Sequence, residues 1–293
     1  MKTQPEPQRT HFRWLAGVAF CLLAAGFAGC GSEQAAPTAP ETAVVSDWVE
    51  PAAALPVREQ PVPLGQLGDA VIPTHYALDL RIDPERAQFT GRVRIDVRIT
   101  EPVDTIYLHG RGLQVSSATL SAGETLMAAD YAQIHDSGVA RLALPIAVSA
   151  GRARLTLDYR ADFSTTLDGL YKVVENERAY AFTQFEAISA RLAFPGFDEP
   201  RFKVPFDLAV SAQPGHVVIT STPVRRSETA MDGAVRHVFE TTPPLPTYLI
   251  AFAVGPFDLR EPGPLPANAV RDAPLPFRGV AAAGKGPQLA YAL

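Results

Sequence analysis

Apolar and polar residues alternate with a period of two over much of the chain between residues 75 and 254. The clearest run is residues 89–99, where every odd-numbered position is apolar or glycine and every even-numbered position is polar. Successive side chains of a strand point to opposite faces of a sheet. The run therefore predicts a long antiparallel strand with one buried face and one solvent-facing side.

Shorter runs of the same kind, separated by turn signals such as Ser137-Gly138 and Asp168-Gly169, predict more strands. They lie at residues 75–82, 105–109, 113–121, 139–146, 153–160, 170–174, 180–184, 206–212, 217–221, 235–241 and 248–254. No amphipathic pattern longer than about two helical turns precedes residue 280. Residues 67–260 are therefore predicted to form an all-β domain, an antiparallel saddle or sandwich of many short strands.

Residues 261–293 differ from this pattern. Five prolines between residues 262 and 276 predict a linker, and residues 286–293 read as the start of a helix, with Pro287 in the first turn. A domain seldom ends this early in a helix, so the sequence looks truncated at Leu293.

The overall charge excludes one class of partner. The 293 residues carry a formal net charge of −5, whereas nucleic-acid-binding domains usually present basic patches. No nucleic-acid partner is expected.

Hydrophobic residues make up 47% of the chain, which is ample for a folded core.

The N-terminus resembles a bacterial lipoprotein signal. Lys2, Arg9 and Arg13 precede an apolar run at residues 14–27, which is followed by Ala28-Gly29-Cys30. Residues 1–30 are therefore predicted to be a lipoprotein signal peptide with Cys30 as the lipidation site, although Phe27 departs from the usual aliphatic residue. An ordinary cleaved signal and an uncleaved anchor remain alternatives.

This prediction places the protein in the bacterial cell envelope, anchored to a membrane, which we expect to be the outer membrane on its periplasmic side or at the surface. Residues 31–66 are rich in Pro and Ala and show no apolar periodicity. Such a segment buries too little surface to offset its ordering entropy. It is predicted to be a tether between anchor and domain.

Catalytic motifs are absent from the sequence. The six histidines include no H-E-x-x-H or other pair four residues apart, so no helical zinc site is predicted. No G-x-S-x-G elbow and no glycine-rich phosphate loop occur either. Each histidine is interpreted as a strand or turn residue, and no metal is expected to bind this chain.

Residues 183–200 stand out from their surroundings. A single helical turn is plausible over residues 187–191, and residues 194–200 read as a compact turn. Asp198 and Glu199 are interpreted as solvated turn charges in preference to paired catalytic carboxylates. Glu186 lies at a strand end among apolar neighbours, where a carboxylate either pairs with an arginine or binds a cation.

The same segment resembles a long signature of the aminopeptidase N family of zinc metallopeptidases, T-Q-F-E-x-x-x-A-R-x-x-F-P-C-F-D-E-P, with Gly196 in place of the cysteine. Four shorter pieces agree in order. They are P-T-H-Y at 73–76, F-T-G at 89–91, G-L-Y at 169–171 and P-T-Y-L-I-A-F-A-V-G at 246–255. The resemblance extends over residues 67–293.

The resemblance implies a division of labour between domains. A β-domain of this kind lends one edge to the active site of a following zinc-dependent catalytic domain. Glu186 would grip the free α-ammonium of a peptide substrate, and Gln184 would line the pocket for the first side chain. Zinc is expected in the full-length parent and not in this chain, because the family's zinc-binding motif would begin beyond Leu293. Residues 261–293 would then be the linker and the first part of that catalytic domain.

Two other interpretations stay open. One is a catalytically silent β lipoprotein that serves as a peptide-binding or scaffold module. The other is an unrelated periplasmic sandwich, for example a carbohydrate-binding one, although Trp14 and Trp48 both lie outside the predicted domain.

Overall fold

The computed structural model describes residues 56–57 and 61–293, and this part of the chain is almost entirely β. In chain order the strands are β1 (Val71–Arg81), β2 (Gln88–Ile99), β3 (Val103–His109), β4 (Gln114–Ala122), β5 (Thr125–Ala128), β6 (Asp130–Gln133), β7 (Val139–Val148), β8 (Gly151–Asp162), β9 (Gly169–Glu175), β10 (Arg178–Gln184), β11 (Phe206–Ala212), β12 (Val217–Thr220), β13 (Val224–Thr229), β14 (Val235–Phe239), β15 (Phe252–Gly255), β16 (Phe257–Arg260) and β17 (Gly279–Ala282). Short 3-10 helices lie at Ala190–Leu192, Thr247–Leu249 and Gly286–Tyr291. The predicted all-β class is confirmed.

The strands form four sheets. The largest has eight strands in the order β13-β14-β11-β1-β2-β8-β4-β5, and all neighbours are antiparallel except β1 and β11. A four-stranded sheet (β12-β15-β10-β9), a three-stranded sheet (β3-β7-β6) and the pair β16-β17 complete the fold. Residues from the first three sheets contribute to one continuous hydrophobic core.

The centre of the large sheet follows directly from its sequence. Strands β2 and β8 pair over their whole length, from Gln88↔Asp162 to Ile99↔Gly151. Most of their inward positions are buried apolar residues, and two of these, Val93 and Leu157, have no exposed surface. Full burial of such a side chain contributes about 1.5–3 kcal/mol. The period-two pattern therefore determines which residues form these strands and which side of each strand faces the core.

Several elements escaped the sequence pattern. Strand β13 is exposed at all six positions, so it has no apolar alternation to detect. Strands β5 and β6 are only four residues long. Strand β17 lies between the predicted linker and the predicted helix start, and it pairs with β16. In these cases strand structure depends on hydrogen bonding to a neighbour, which the local pattern does not reveal.

Two helical details also differ. The predicted strand at 248–254 begins as the 3-10 helix Thr247–Leu249, and the paired strand β15 starts only at Phe252. The predicted helix start near residue 286 is present as the 3-10 helix Gly286–Tyr291, with proline in its first turn.

Gly91 leaves space for a tyrosine that connects the large sheet to the segment containing the candidate site. It lies directly opposite Tyr159 on β8, and the Tyr159 ring crosses the space that a side chain at residue 91 would occupy. The Tyr159 hydroxyl then donates a hydrogen bond to the carbonyl of Ala193, at 2.8 Å. This bond connects β8 to residues 183–200.

We predict that Gly91→Ala destabilises the fold by about 1–3 kcal/mol. A Cβ at residue 91 would lie 2.5 Å from the Cζ and Oη atoms of Tyr159, and the buried ring has little room to move. Gly68→Ala is the matched control, because its Cβ would meet nothing within 4 Å. Urea unfolding measures both, and equal free energies of unfolding would contradict the steric argument.

Candidate functional site

Strand β10 carries the candidate substrate-binding residues to one end of the four-stranded sheet. Its last residue, Gln184, pairs with Gly169 of β9. One residue earlier, the Thr183 hydroxyl accepts a hydrogen bond from the Phe252 N–H at 3.0 Å, which fixes this end of β10 to β15. The strand end is therefore held on both sides.

Side-chain alternation continues one step beyond the strand. Phe185 is 2% exposed and packs edge-on against Phe194 and Phe252, with ring centroids 5.9 and 6.2 Å away. Gln184 and Glu186 on either side of it are exposed. Because successive extended residues face opposite ways, the two polar side chains stand on the face away from the core.

Glu186 has no hydrogen-bond or ion-pair partner among the described residues. The peptide bond that follows it, to Ala187, is cis. Arg191, the nearest arginine in sequence, is instead engaged by Asp198. Of the two possibilities raised for this carboxylate, pairing with Arg191 is excluded by the geometry, and the carboxylate remains available to a cation.

Arg191 anchors the segment that follows. This buried guanidinium donates from Nε to Asp198 Oδ2 at 2.9 Å, from Nη2 to the Asp198 carbonyl at 2.9 Å and from Nη1 to the Ser137 carbonyl at 2.9 Å. The backbone N–H of Arg191 also donates to Asp198 Oδ2, at 3.2 Å. A buried ion pair is stable only when its polar atoms are satisfied in this way.

Asp198 makes two further hydrogen bonds. Thr247 donates its hydroxyl to Asp198 Oδ1 at 2.5 Å, and the Asp198 N–H donates to His109 Nδ1 at 3.2 Å. Asp198 is 2% exposed and Glu199 is 7% exposed. The interpretation of these two carboxylates as solvated turn charges was therefore wrong. The many aromatic residues around them were the sequence signal of a buried turn.

His109 contributes to the same network as a neutral group. Burial, reinforced by the positive charge of Arg191, lowers its pKa to about 3. The imidazole is therefore uncharged at neutral pH, and its Nδ1 can accept the hydrogen bond from Asp198. Sequence reasoning treated His109 only as a strand residue and gave no sign of this contact, which joins residues 89 positions apart.

Gly196 fits the contacts around it. Its backbone exchanges two hydrogen bonds with His109, at 2.7 and 2.8 Å. A Cβ at this position would lie 3.0 Å from the Tyr76 hydroxyl, which accepts a hydrogen bond from the Phe197 N–H at 2.7 Å. The glycine that replaces the signature cysteine thus leaves room for a tyrosine that supports the turn.

The described residues provide no metal centre. Among residues 56–57 and 61–293, no group of three or more His, Cys, Asp or Glu side chains is placed to hold a metal ion. Nδ1 of His109 is already an acceptor, and His135 and His237 contact Ser137 and Ser227. These residues do not fit zinc.

The remaining sequence predictions fall elsewhere. Cys30 and the predicted signal peptide at 1–30 lie outside the described residues, as does the predicted tether except for residues 56–57 and 61–66. In the described part of the chain, no helix combines the length and apolar character needed to cross a membrane.

Fold and site together define a class: an all-β domain that presents, at one sheet end, a carboxylate without a partner among the described residues and a neighbouring carboxamide. The sequence profile of the Peptidase M1 N-terminal domain matches residues 72–249. The chain therefore belongs to that family, and the expected resemblance is confirmed.

Two curated relatives show how much of such proteins the chain covers. Endoplasmic reticulum aminopeptidase 1 of Homo sapiens is 32% identical over 232 residues, which is 74% of this chain and 24% of the relative. Aminopeptidase N of Acetobacter pasteurianus is 32% identical over 197 residues, which is 65% of this chain and 54% of the relative. The chain thus spans about a quarter of the first relative and about half of the second.

We predict that Asp198→Asn destabilises the domain by about 3 kcal/mol or more, because it leaves the buried Arg191 charge uncompensated. Asp158→Asn is the matched control, since it breaks the exposed pair with Arg92. That change should cost less than about 1 kcal/mol. Urea unfolding compares the two, and similar losses would show that the buried pair is not an anchor.

Proposed function

We propose that this chain is the substrate-facing N-terminal domain of a membrane-anchored zinc aminopeptidase that removes N-terminal residues from peptides. The observation that carries the proposal is Glu186, an exposed carboxylate with no partner in the described part of the chain, on backbone fixed by Phe185 and by the Arg191–Asp198 pair. The names of the relatives, which are aminopeptidases, support it.

Glu186 would recognise the free α-ammonium of the substrate. A carboxylate and an ammonium form charge-assisted hydrogen bonds, which are about twice as strong as neutral ones. An acylated N-terminus lacks the positive charge, so the site would favour peptides with a free amine. The Gln184 carboxamide, exposed beside it, has both donors and an acceptor with which to contact the first residue of the peptide.

Hydrolysis itself would belong to a separate catalytic domain. A zinc ion supplies a water activated at neutral pH, and the described residues of this chain do not fit that ion. The proposal is that a following domain holds zinc and contacts the edge around Glu186. Ile188 and Leu249, which are 52% and 47% exposed, are apolar side chains suited to such a contact. The chain alone is expected to bind no zinc and to hydrolyse no peptide.

A stand-alone peptide-binding or scaffold lipoprotein is the alternative, because an unpaired carboxylate can hold a peptide amine without cleaving the peptide. The DNA downstream of the Leu293 codon distinguishes the two. An in-frame Gly-x-Met-Glu-Asn and H-E-x-x-H would support the aminopeptidase, whereas an authentic stop codon followed by unrelated sequence would support the scaffold.

We predict that Glu186→Gln lowers kcat/KM of an aminopeptidase containing this chain by ten- to a hundredfold, since a hydrogen bond to a charged group is worth about 1.5–3 kcal/mol. The melting temperature should not change, because the exposed carboxylate has no partner in the described part of the chain. Kinetics on a peptide and on its N-acetylated form provide the measurement.

Glu177→Gln is the matched control for that experiment. Glu177 is an exposed carboxylate at the opposite end of β10 and should leave kcat/KM unchanged. An unchanged kcat/KM in the Glu186 variant, together with a large fall in melting temperature, would assign Glu186 to the scaffold and refute the binding role.

Membrane anchorage is a second part of the proposal, supported by the apolar run before Cys30. We predict that the mature protein carries fatty acid on Cys30 and partitions with membranes, and that Cys30→Ala blocks processing or releases the protein. Metabolic labelling with a radioactive fatty acid and fractionation of the cell provide the readout. A wild-type protein that takes up no label and fractionates as soluble would refute lipidation.

A further inference from the structure

The solvent-facing side of the eight-stranded sheet is rich in arginine, although the whole chain is acidic. On the central strands β2 and β8 the outward positions include six arginines, and none of the outward positions is lysine. These are Arg92, Arg94, Arg98, Arg152, Arg154 and Arg160. Because the net charge of the chain is −5, this local excess of positive charge is not a consequence of overall composition.

Half of these arginines have defined partners. Arg92 and Arg154 form two-pronged pairs with Asp158 and Asp96, with Nε–Oδ1 distances of 2.6 and 2.5 Å. Arg160 donates to the side-chain carbonyl of Gln114 at 2.8 Å. The carboxylates of Asp158 and Asp96 are thus each engaged by one arginine. The neighbouring arginines on this face are left without an acidic partner among the described residues.

Arg98 and Arg152 form the unbalanced pair. They lie directly opposite each other in the β2–β8 register, so their Cβ atoms are about 4.5–5.5 Å apart on the same face. Both side chains are exposed, and neither has an acidic partner among the described residues. Like charges directly opposite one another destabilise a sheet. Two arginines are therefore held together at a cost in stability, with no described contact that compensates for it.

The pair also lines a cavity. A depression of about 530 Å³ at this end of the sheet is bounded by three arginines and one aspartate, with polar and small residues around them: Arg98, Arg152, Arg154, Asp96, Thr74, Ser121 and Gly123. The guanidinium groups of Arg98 and Arg152 and the hydroxyl of Ser121 thus border one space, and the Thr74 hydroxyl beside them already donates to the Asp96 carbonyl at 3.1 Å. The donors outnumber the acceptors there, since the Asp96 carboxylate is occupied by Arg154.

We propose that Arg98 and Arg152 form a binding site for a phosphate group. Guanidinium is planar and donates two parallel hydrogen bonds to a phosphate, which makes arginine preferable to lysine for this ligand. A phosphate monoester carries between one and two negative charges at neutral pH, so it balances both arginines, whereas a single carboxylate balances only one. Ligand binding would relieve the repulsion across the strand pair.

The test is calorimetric titration of the full chain with inorganic phosphate. Wild-type protein should bind it, and the double variant Arg98→Gln/Arg152→Gln should bind at least about tenfold more weakly. Arg160→Gln is the matched control, an exposed arginine of the same strand face that lies outside the cavity, and it should bind like the wild type. The melting temperatures of both variants verify that they are folded.

A second arm identifies the source of the phosphate. Vesicles of phosphatidylcholine with phosphatidic acid, a phosphate monoester lipid, are compared with pure phosphatidylcholine vesicles. Wild type and double variant are compared on the same vesicles, because the basic N-terminal segment favours acidic vesicles equally in both proteins. An excess of binding to the acidic vesicles that the double variant loses assigns a lipid headgroup. Phosphate binding without that excess assigns a free phosphate compound. Absence of phosphate binding by the wild type, or equal binding by the double variant, would overturn the proposal.

Discussion

The buried ion pair between Arg191 and Asp198 is the interaction on which the candidate site depends. Removing two charges from water is costly, and the cost is met here because the guanidinium and the carboxylate are saturated by Ser137, Thr247 and each other. These contacts join the turn before β7, the segment after β10 and the helical turn before β15. Three parts of the chain distant in sequence are thereby held in one arrangement. Glu186 lies at the start of one of them, the segment after β10, with its side chain exposed.

Charge is used in two opposite ways in this domain. Arg191 and Asp198 are buried and fully satisfied, so they contribute rigidity and are closed to a ligand. Glu186 on one surface, and Arg98 with Arg152 on another, are exposed and have no partner of opposite charge among the described residues. On the outward face of the large sheet, Arg92 and Arg154 are paired with aspartates, whereas Arg98 and Arg152 are not. Unpaired charge on rigid backbone is what a site for a charged ligand requires.

The sequence predicted the central strands closely because burial on one face imposes a strict alternation. Residues 89–99 and 153–160 correspond to β2 and to most of β8. The pattern failed at the margins of the sheets, where β13 is fully exposed and β17 pairs only with β16. Such strands are stabilised by hydrogen bonds to a neighbouring strand. That neighbour is identified by the tertiary fold and leaves no periodicity in the local sequence.

For the candidate site, the sequence alone determined which segment and which carboxylate to consider. Residues 183–200 were identifiable by their residue order, and Glu186 by a carboxylate among apolar neighbours at a strand end. Only the tertiary structure decided which charges are available. It buried Asp198 against Arg191 and His109, and it left Glu186 exposed. The physical reason is that the burial of a charge depends on partners far away in the chain. His109 and Thr247 are 89 and 49 residues from Asp198, and no local pattern records that they meet it.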